Sequence, residues 1–163
     1  FKPLRRKEYS EFILNNPYGW IIWDKMNGSN DFSDCEMIWT SLNFKSHVVY
    51  YLWNGMMQGE KVSKNPNIAR KQIGNKSNNE KRLHPTQKPV IFYKYLIFTH
   101  LPTDAKIADF KGGLFSIALA VHSLNTIHGF SLSLDIHEKE EDYFALGKKR
   151  LSLLQKQTSF SLR

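Results

Sequence analysis

Residues 106–124 read Lys106-Ile-Ala-Asp-Phe-Lys-Gly-Gly-Leu-Phe-Ser-Ile-Ala-Leu-Ala-Val-His-Ser-Leu124. A short apolar stretch ending in an acid, Lys106 to Phe110, has the pattern of a strand. Gly112-Gly113 then makes a turn, and Phe115 to Leu124 is an apolar helix. Thr126 to Asp135 alternates and ends in a second acid, which predicts another strand. Tyr143 to Leu154 is an amphipathic basic helix. Upstream, Pro89 opens a helix that runs to His100, with proline at its favoured start and Pro102 beyond its end. The order strand, glycine turn, helix, strand, helix is the signature of a mostly parallel sheet covered by helices.

The N-terminal half has a different pattern. Trp20 to Trp23, Met37 to Trp39 and Val48 to Trp53 are short runs rich in β-branched and aromatic residues, bounded by turn formers such as Asn27-Gly28-Ser29-Asn30. Tyr9, Phe12 and Ile13 give Arg5 to Leu14 the spacing of a short helix. Between the halves, residues 59–82 hold seven basic residues and two acids, with much Asn, Ser and Gly. Such a stretch buries too little apolar surface to offset its ordering entropy. It is read as a basic mobile loop over 59–83, either a solvated linker or a phosphate-contacting segment.

The 163 residues carry a net charge of +8, a surplus that favours a polyanionic partner, nucleic acid before an anionic membrane surface. The length suits one domain, 1–163. No apolar run is long enough for a membrane helix, and no secretory signal is seen. Cys35 is the single cysteine, so an internal disulfide and cysteine-based zinc sites are excluded, and a reducing cytoplasm is expected. The histidines show no metal-ligand spacing, so no metal is expected. Beginning at Phe1, the sequence is read as a fragment or a trimmed product.

The acids and glycines suggest a ligand site. A glycine turn lets a ligand approach the backbone, the following helix offers free N–H groups, and an acid about 20 residues on suits a ribose diol. The bland alternatives are a plain turn, with Asp109 as a helix cap.

His84-Pro-Thr-Gln-Lys-Pro-Val90, the helix after it and Lys106-Ile-Ala-Asp109 resemble the S-adenosylmethionine-dependent DNA methyltransferases that modify N6 of adenine or N4 of cytosine. The likeness is to the permuted order, with the catalytic half before the cofactor half. Gly19-Trp-Ile-Ile-Trp-Asp-Lys25, Asp34-Cys-Glu-Met-Ile-Trp-Thr-Ser41 and Trp53-Asn-Gly-Met-Met-Gln58 are similar to the same family. The resemblance implies an α/β fold, a Rossmann-like methyltransferase sheet, mostly parallel, with helices on both faces and incomplete at the N-terminus.

It also implies site residues. Asp109, Gly112, Gly113 and Ser116 would surround the methionine part of S-adenosylmethionine, and His84, Thr86 and Lys88 would sit beside it. Asp135 would hold the ribose hydroxyls, with Glu138 as its rival. The basic loop falls where the family places target recognition, which makes Lys64, Arg70, Lys71, Lys76, Lys81 and Arg82 candidates for contacts to double-stranded DNA. The function implied is site-specific methylation of DNA. The alternative is a catalytically inactive relative that binds DNA or a partner methyltransferase subunit, or forms a homodimer.

The departures from the family are specific. Its catalytic Asp/Asn-Pro-Pro-aromatic tetrapeptide is not in the sequence, and the nearest text, Asn15-Asn16-Pro17-Tyr18, lacks the first proline. The catalytic residues are therefore unassigned, and the segment that normally carries them is expected to be missing, shortened or on another chain. In the cofactor loop, Phe110-Lys111 also stands where the family has Pro-Phe, and Leu114-Phe115 replaces the usual small residues.

Overall fold

The computed structural model describes residues 19–28, 33–54, 57–84 and 86–161, with side chains described as far as 157. The chain divides between Asn79 and Glu80 into two compact units. The expected helix over Arg5 to Leu14 and the segment Asn15 to Tyr18 lie outside the described residues.

In the N-terminal unit, β1 (Trp20–Asp24) is the centre of a three-stranded sheet. It pairs antiparallel with β2 (Cys35–Trp39) and parallel with β3 (His47–Tyr50). Alternation places Ile21 and Trp23 on the buried face, where Trp23 is 1% exposed and donates from its indole Nε1 to the Tyr51 carbonyl at 3.3 Å. A two-residue antiparallel pair follows, β4 (Trp53–Asn54) with β5 (Met57–Gln58).

Residues 59–79 form only short elements, yet their backbone is tied back. The Gly59 N–H donates to Leu52 O at 2.8 Å, Tyr50 and Ser63 exchange two bonds, and the Glu60 N–H donates to Lys71 O. A single turn, α1 (Pro66–Ala69), is capped by the Asn65 side chain and started by proline. A 3₁₀ turn follows at Lys76–Asn78.

The C-terminal unit runs α2 (Val90–His100), β6 (Lys106–Asp109), α3 (Ser116–His128), β7 (Ser133–Ile136) and α4 (Glu141–Ser161). Strands β6 and β7 are parallel and in register from Lys106 opposite Ser133 to Asp109 opposite Ile136. The core gathers Ile97 of α2, Ala120, Val121 and Leu124 of α3, and Leu132 before β7. Two elements differ in extent from the sequence reading. The strand expected over Thr126 to Asp135 begins only at Ser133, because α3 continues to His128. Gly129 ends that helix in the left-handed region (φ 68°), and Asn125 fixes the reversal by bonding both the N–H and the carbonyl of Leu132.

The largest correction concerns the sheet. The expected Rossmann-like, mostly parallel sheet with helices on both faces is not formed. The described strands fall into three small sheets: one mixed, one antiparallel, and one of two parallel strands. A central strand of a doubly wound sheet is buried on both faces and reads as a continuous apolar run. Lys106–Asp109 and Ser133–Ile136 instead alternate exposed and half-buried residues. They have the chemistry of a sheet covered on one face, and only four residues each in which to pair.

Helix α4 packs on the start of α3 through a close fit. Phe115, 3% exposed, sits at φ 61°, and its ring lies against Gly147 and edge-on to Phe144 at 5.4 Å. A β-carbon on Gly147 would stand 2.6 Å from the Phe115 ring. Gly147→Ala is therefore expected to lower stability by about 1–2 kcal/mol in urea denaturation, overpacking outweighing the roughly 1 kcal/mol that alanine gains in a helix.

Candidate functional site

In the C-terminal unit a cleft of about 660 Å³ opens where the chain leaves β6 and β7, the carboxyl ends of the two parallel strands. Its walls come from His84, Thr86, Gln87 and Lys88, from 110–114 and from 138–140, with Ser116, Tyr93 and Tyr143.

The glycine turn has two different reasons for its glycines. At Gly112 a β-carbon would meet Ile136 Cγ1 at 2.4 Å, so this residue is held by close approach to β7. Its N–H donates to His137 O and the His137 N–H donates to Asp109 O, both at 2.8 Å, which extends the β6–β7 pairing by one rung. Gly113, at φ 50°, has nothing nearer to a β-carbon than the Lys111 carbonyl at 4.0 Å, so its backbone is open. The Gly113 N–H donates to Glu138 Oε2 at 2.7 Å.

Glu138 is thus the acid of the cleft. Its other oxygen accepts from the Glu140 N–H at 2.9 Å. The N–H groups of Glu140 and Gly113, with a smaller contribution from Lys139, hold its carboxyl below the ordinary value of 4.5. Across the cleft, His84 Nδ1 accepts from the Thr86 N–H at 3.2 Å and lies 2.9 Å from Thr86 Oγ1. The His84 ring is edge-on to Tyr143 at 5.2 Å, and Lys88 Nζ donates to Thr86 O at 3.4 Å.

Of the residues singled out in the sequence, His84, Thr86, Lys88, Gly112, Gly113 and Ser116 line this cleft, and Asp109 and Asp135 do not. Asp109 Oδ1 instead accepts from the Lys111 N–H at 2.9 Å, a local turn bond. Asp135 is exposed on β7. Leu114 lines the cleft, whereas the Phe115 ring is taken up by Gly147.

Behind the wall lies a half-buried polar network that sequence reading does not single out. Glu80 Oε1 accepts from Gln87 Nε2 at 2.8 Å and from Arg150 Nη2 at 3.1 Å, while Glu80 Oε2 accepts from the Val90 N–H at 2.7 Å. Arg150 Nη1 also donates to the Leu114 carbonyl and lies 3.4 Å from Ser116 Oγ. Burial pushes the Glu80 carboxyl up, against the pull of the Val90 N–H, Gln87 and Arg150. Burial likewise lowers Arg150, against the pull of Glu80. The available signal was Arg150 itself, a charge seven residues beyond Tyr143 and three beyond Gly147, on the inward face of α4.

The basic candidates Lys64, Arg70, Lys71, Lys76, Lys81 and Arg82 are all exposed. Lys71 is paired with Glu60 at 3.1 Å. The first four belong to the N-terminal unit, and Lys81 and Arg82 open the C-terminal one. Among the described residues no group of three His, Cys, Asp or Glu is placed to hold a metal ion, and no helix is long and apolar enough to cross a membrane.

Two outcomes follow from these contacts. Arg150→Met leaves the half-buried Glu80 without its cation, and the expected loss is about 2 kcal/mol by chemical denaturation, below that of a fully buried pair. Glu138 has a depressed pKa, so its contribution to stability is complete above pH 4.5 and is lost as pH falls through its folded value. The melting temperature of the chain should therefore exceed that of Glu138→Gln at pH 7, and the gap should shrink on acidification below pH 4.5.

No family model, curated protein sequence or solved structure matches this chain.

Proposed function

We propose that the C-terminal unit binds S-adenosylmethionine in the cleft beside Gly113 and that the chain acts in methyl transfer to an exocyclic amino group of adenine or cytosine in DNA. The observation that carries this reading is the convergence of His84, Thr86, Lys88, Gly112, Gly113 and Ser116 on one cleft. They come from two short stretches more than 20 residues apart in the sequence, both of which the methyltransferase resemblance singles out.

The residues present suit the cofactor. The cleft has the volume of a small-molecule site. Gly113, at φ 50°, leaves its backbone uncovered on the cleft side, with nothing nearer to a β-carbon position than the Lys111 carbonyl at 4.0 Å. Glu138 is an ionised acceptor, and after its backbone N–H bonds the carboxylate keeps lone-pair capacity for a hydroxyl. The ribose diol is assigned to Glu138, the acid that lines the cleft, rather than to Asp135. Tyr93 and Tyr143 offer aromatic walls for a planar base. The cofactor, when bound, supplies an electrophilic methyl group on a sulfonium. The exposed basic side chains of residues 64–82 are assigned to phosphate contacts with duplex DNA.

One feature favours a second reading, in which the chain binds cofactor and DNA, or a partner methyltransferase subunit, without catalysis. The Asp/Asn-Pro-Pro-aromatic tetrapeptide is nowhere in the 163 residues.

Calorimetric titration with S-adenosylmethionine is expected to give saturable binding. Glu138→Gln should weaken it about tenfold, equivalent to roughly 1.4 kcal/mol, and Asp135→Asn should leave it unchanged. A folded chain that takes up no cofactor would overturn the proposal. Transfer of a labelled methyl group to duplex DNA distinguishes the enzyme from the silent binder.

A further inference from the structure

Helix α2 is apolar around its whole circumference. Among Val90–His100 the sole Asp, Glu, Lys or Arg is Lys94, set in a run of aliphatic and aromatic residues. A helix of that composition is normally covered on all sides. One face, with Val90, Tyr93, Ile97 and Leu101, packs into the core beside α3. Helical spacing puts Ile91, Lys94, Tyr95 and Phe98 on a second face. That face runs onto an exposed aromatic patch. Phe98 is 57% exposed, and its ring stacks on Phe130 at 5.6 Å and stands edge-on to His128 at 5.8 Å. Ile127, next to His128, is 66% exposed. An apolar cluster left in water in this way marks a contact surface.

The charges around the patch identify what covers it. Residues 95–103 and 112–134 contain no Asp, Glu, Lys or Arg, in a chain of net charge +8. Two copies of the chain can meet here without the repulsion that their basic surfaces impose. Two opposite charges border the patch. Lys94 lies one turn before Phe98 on α2. Asp104 lies six residues after it, past the end of the helix and next to Thr103, whose carbonyl accepts from the Ser131 N–H at 2.8 Å. Among the described residues neither charged side chain has an ion pair or a hydrogen bond. Lys94 is half-buried, and burial pulls its ammonium below the ordinary value with no carboxylate to offset the cost. Along the surface the order is cation, ring, anion. A two-fold axis at Phe98 makes that order its own complement, so that Lys94 of each copy meets the partner's Asp104.

We propose that α2 forms the contact of a two-fold symmetric dimer of this chain. The two α2 helices run antiparallel, the Phe98–Phe130 stack and Ile127 fill the centre, and two Lys94–Asp104 pairs join the copies at the edges. This dimer draws only on residues of the C-terminal unit and does not depend on cofactor binding. The patch is small, so the expected dissociation constant is on the order of 10 μM.

Sedimentation equilibrium of the full chain should show a monomer–dimer equilibrium in that range. Ile127→Lys and Asp104→Lys, both exposed changes, should each weaken it by about tenfold or more. Lys94→Glu should do the same. Mixing the Asp104→Lys chain with the Lys94→Glu chain should restore association, because the mixed pair sets a cation against an acid at both edges. If circular dichroism shows that Lys94→Glu does not fold, the two exposed variants decide. A chain that stays monomeric at several hundred micromolar, or a dimer that ignores Ile127→Lys and Asp104→Lys, would overturn the proposal. So would a monomer that sediments with neutral phosphatidylcholine vesicles and loses them in Ile127→Lys, which would make the patch a lipid-binding surface.

Discussion

The C-terminal unit is tied together by one half-buried ion pair, Glu80 with Arg150. Each partner is shifted toward its neutral form by burial, so desolvation outweighs the attraction between them. A pair of that kind contributes little net stability, but removal of either member strands the other. Its effect here is geometric. Glu80 supplies the missing cap at the first N–H of α2 and holds Gln87, while Arg150 reaches from α4 to the backbone carbonyl of Leu114 and the hydroxyl of Ser116. One carboxylate and one guanidinium therefore position both walls of the cleft, the residues around Gln87 and the glycine turn.

This arrangement explains what sort of site the cleft is. Its acid is fixed by backbone N–H groups and its glycine turn is fixed from behind, so little needs to be ordered when a ligand arrives. The His84–Thr86 contact belongs to the same logic, since each side chain restricts the other. The two glycines divide their tasks, one admitting β7 and the other leaving backbone open.

Much of this was legible locally and little of it globally. The elements of the C-terminal unit were written in Pro89, the apolar run after Phe115 and the alternation around Leu134. Their assembly was not. A four-residue alternating strand and an edge of a larger sheet share the same pattern, and only pairing partners tell them apart. The same limit applied to the end of α3, where Thr126, Ile127 and His128 fit a strand until Gly129 and Asn125 act together. Within the cleft, the glycines and the His84 segment were visible as motif letters. Glu138 was visible only as a rival to Asp135, because the choice depends on which acid the loop after β7 turns inward. Arg150 and Glu80 were invisible as a pair, since they stand far apart in sequence and each looks like a surface charge.

The contact between Phe115 and Gly147 ties two distant positions into a shared allotment of volume. A large ring at 115 is compatible with the helix only while 147 has no side chain, and a small residue at 115 would leave a void that an alanine at 147 could fill in part. Neither position is free to drift alone. The order in which changes are accepted matters: 115 must shrink before 147 grows, and a chain that takes the steps in reverse passes through a strained intermediate. The mouth of the cleft, bounded by Leu114 one residue away, is therefore shielded by a constraint that lies outside the cleft itself.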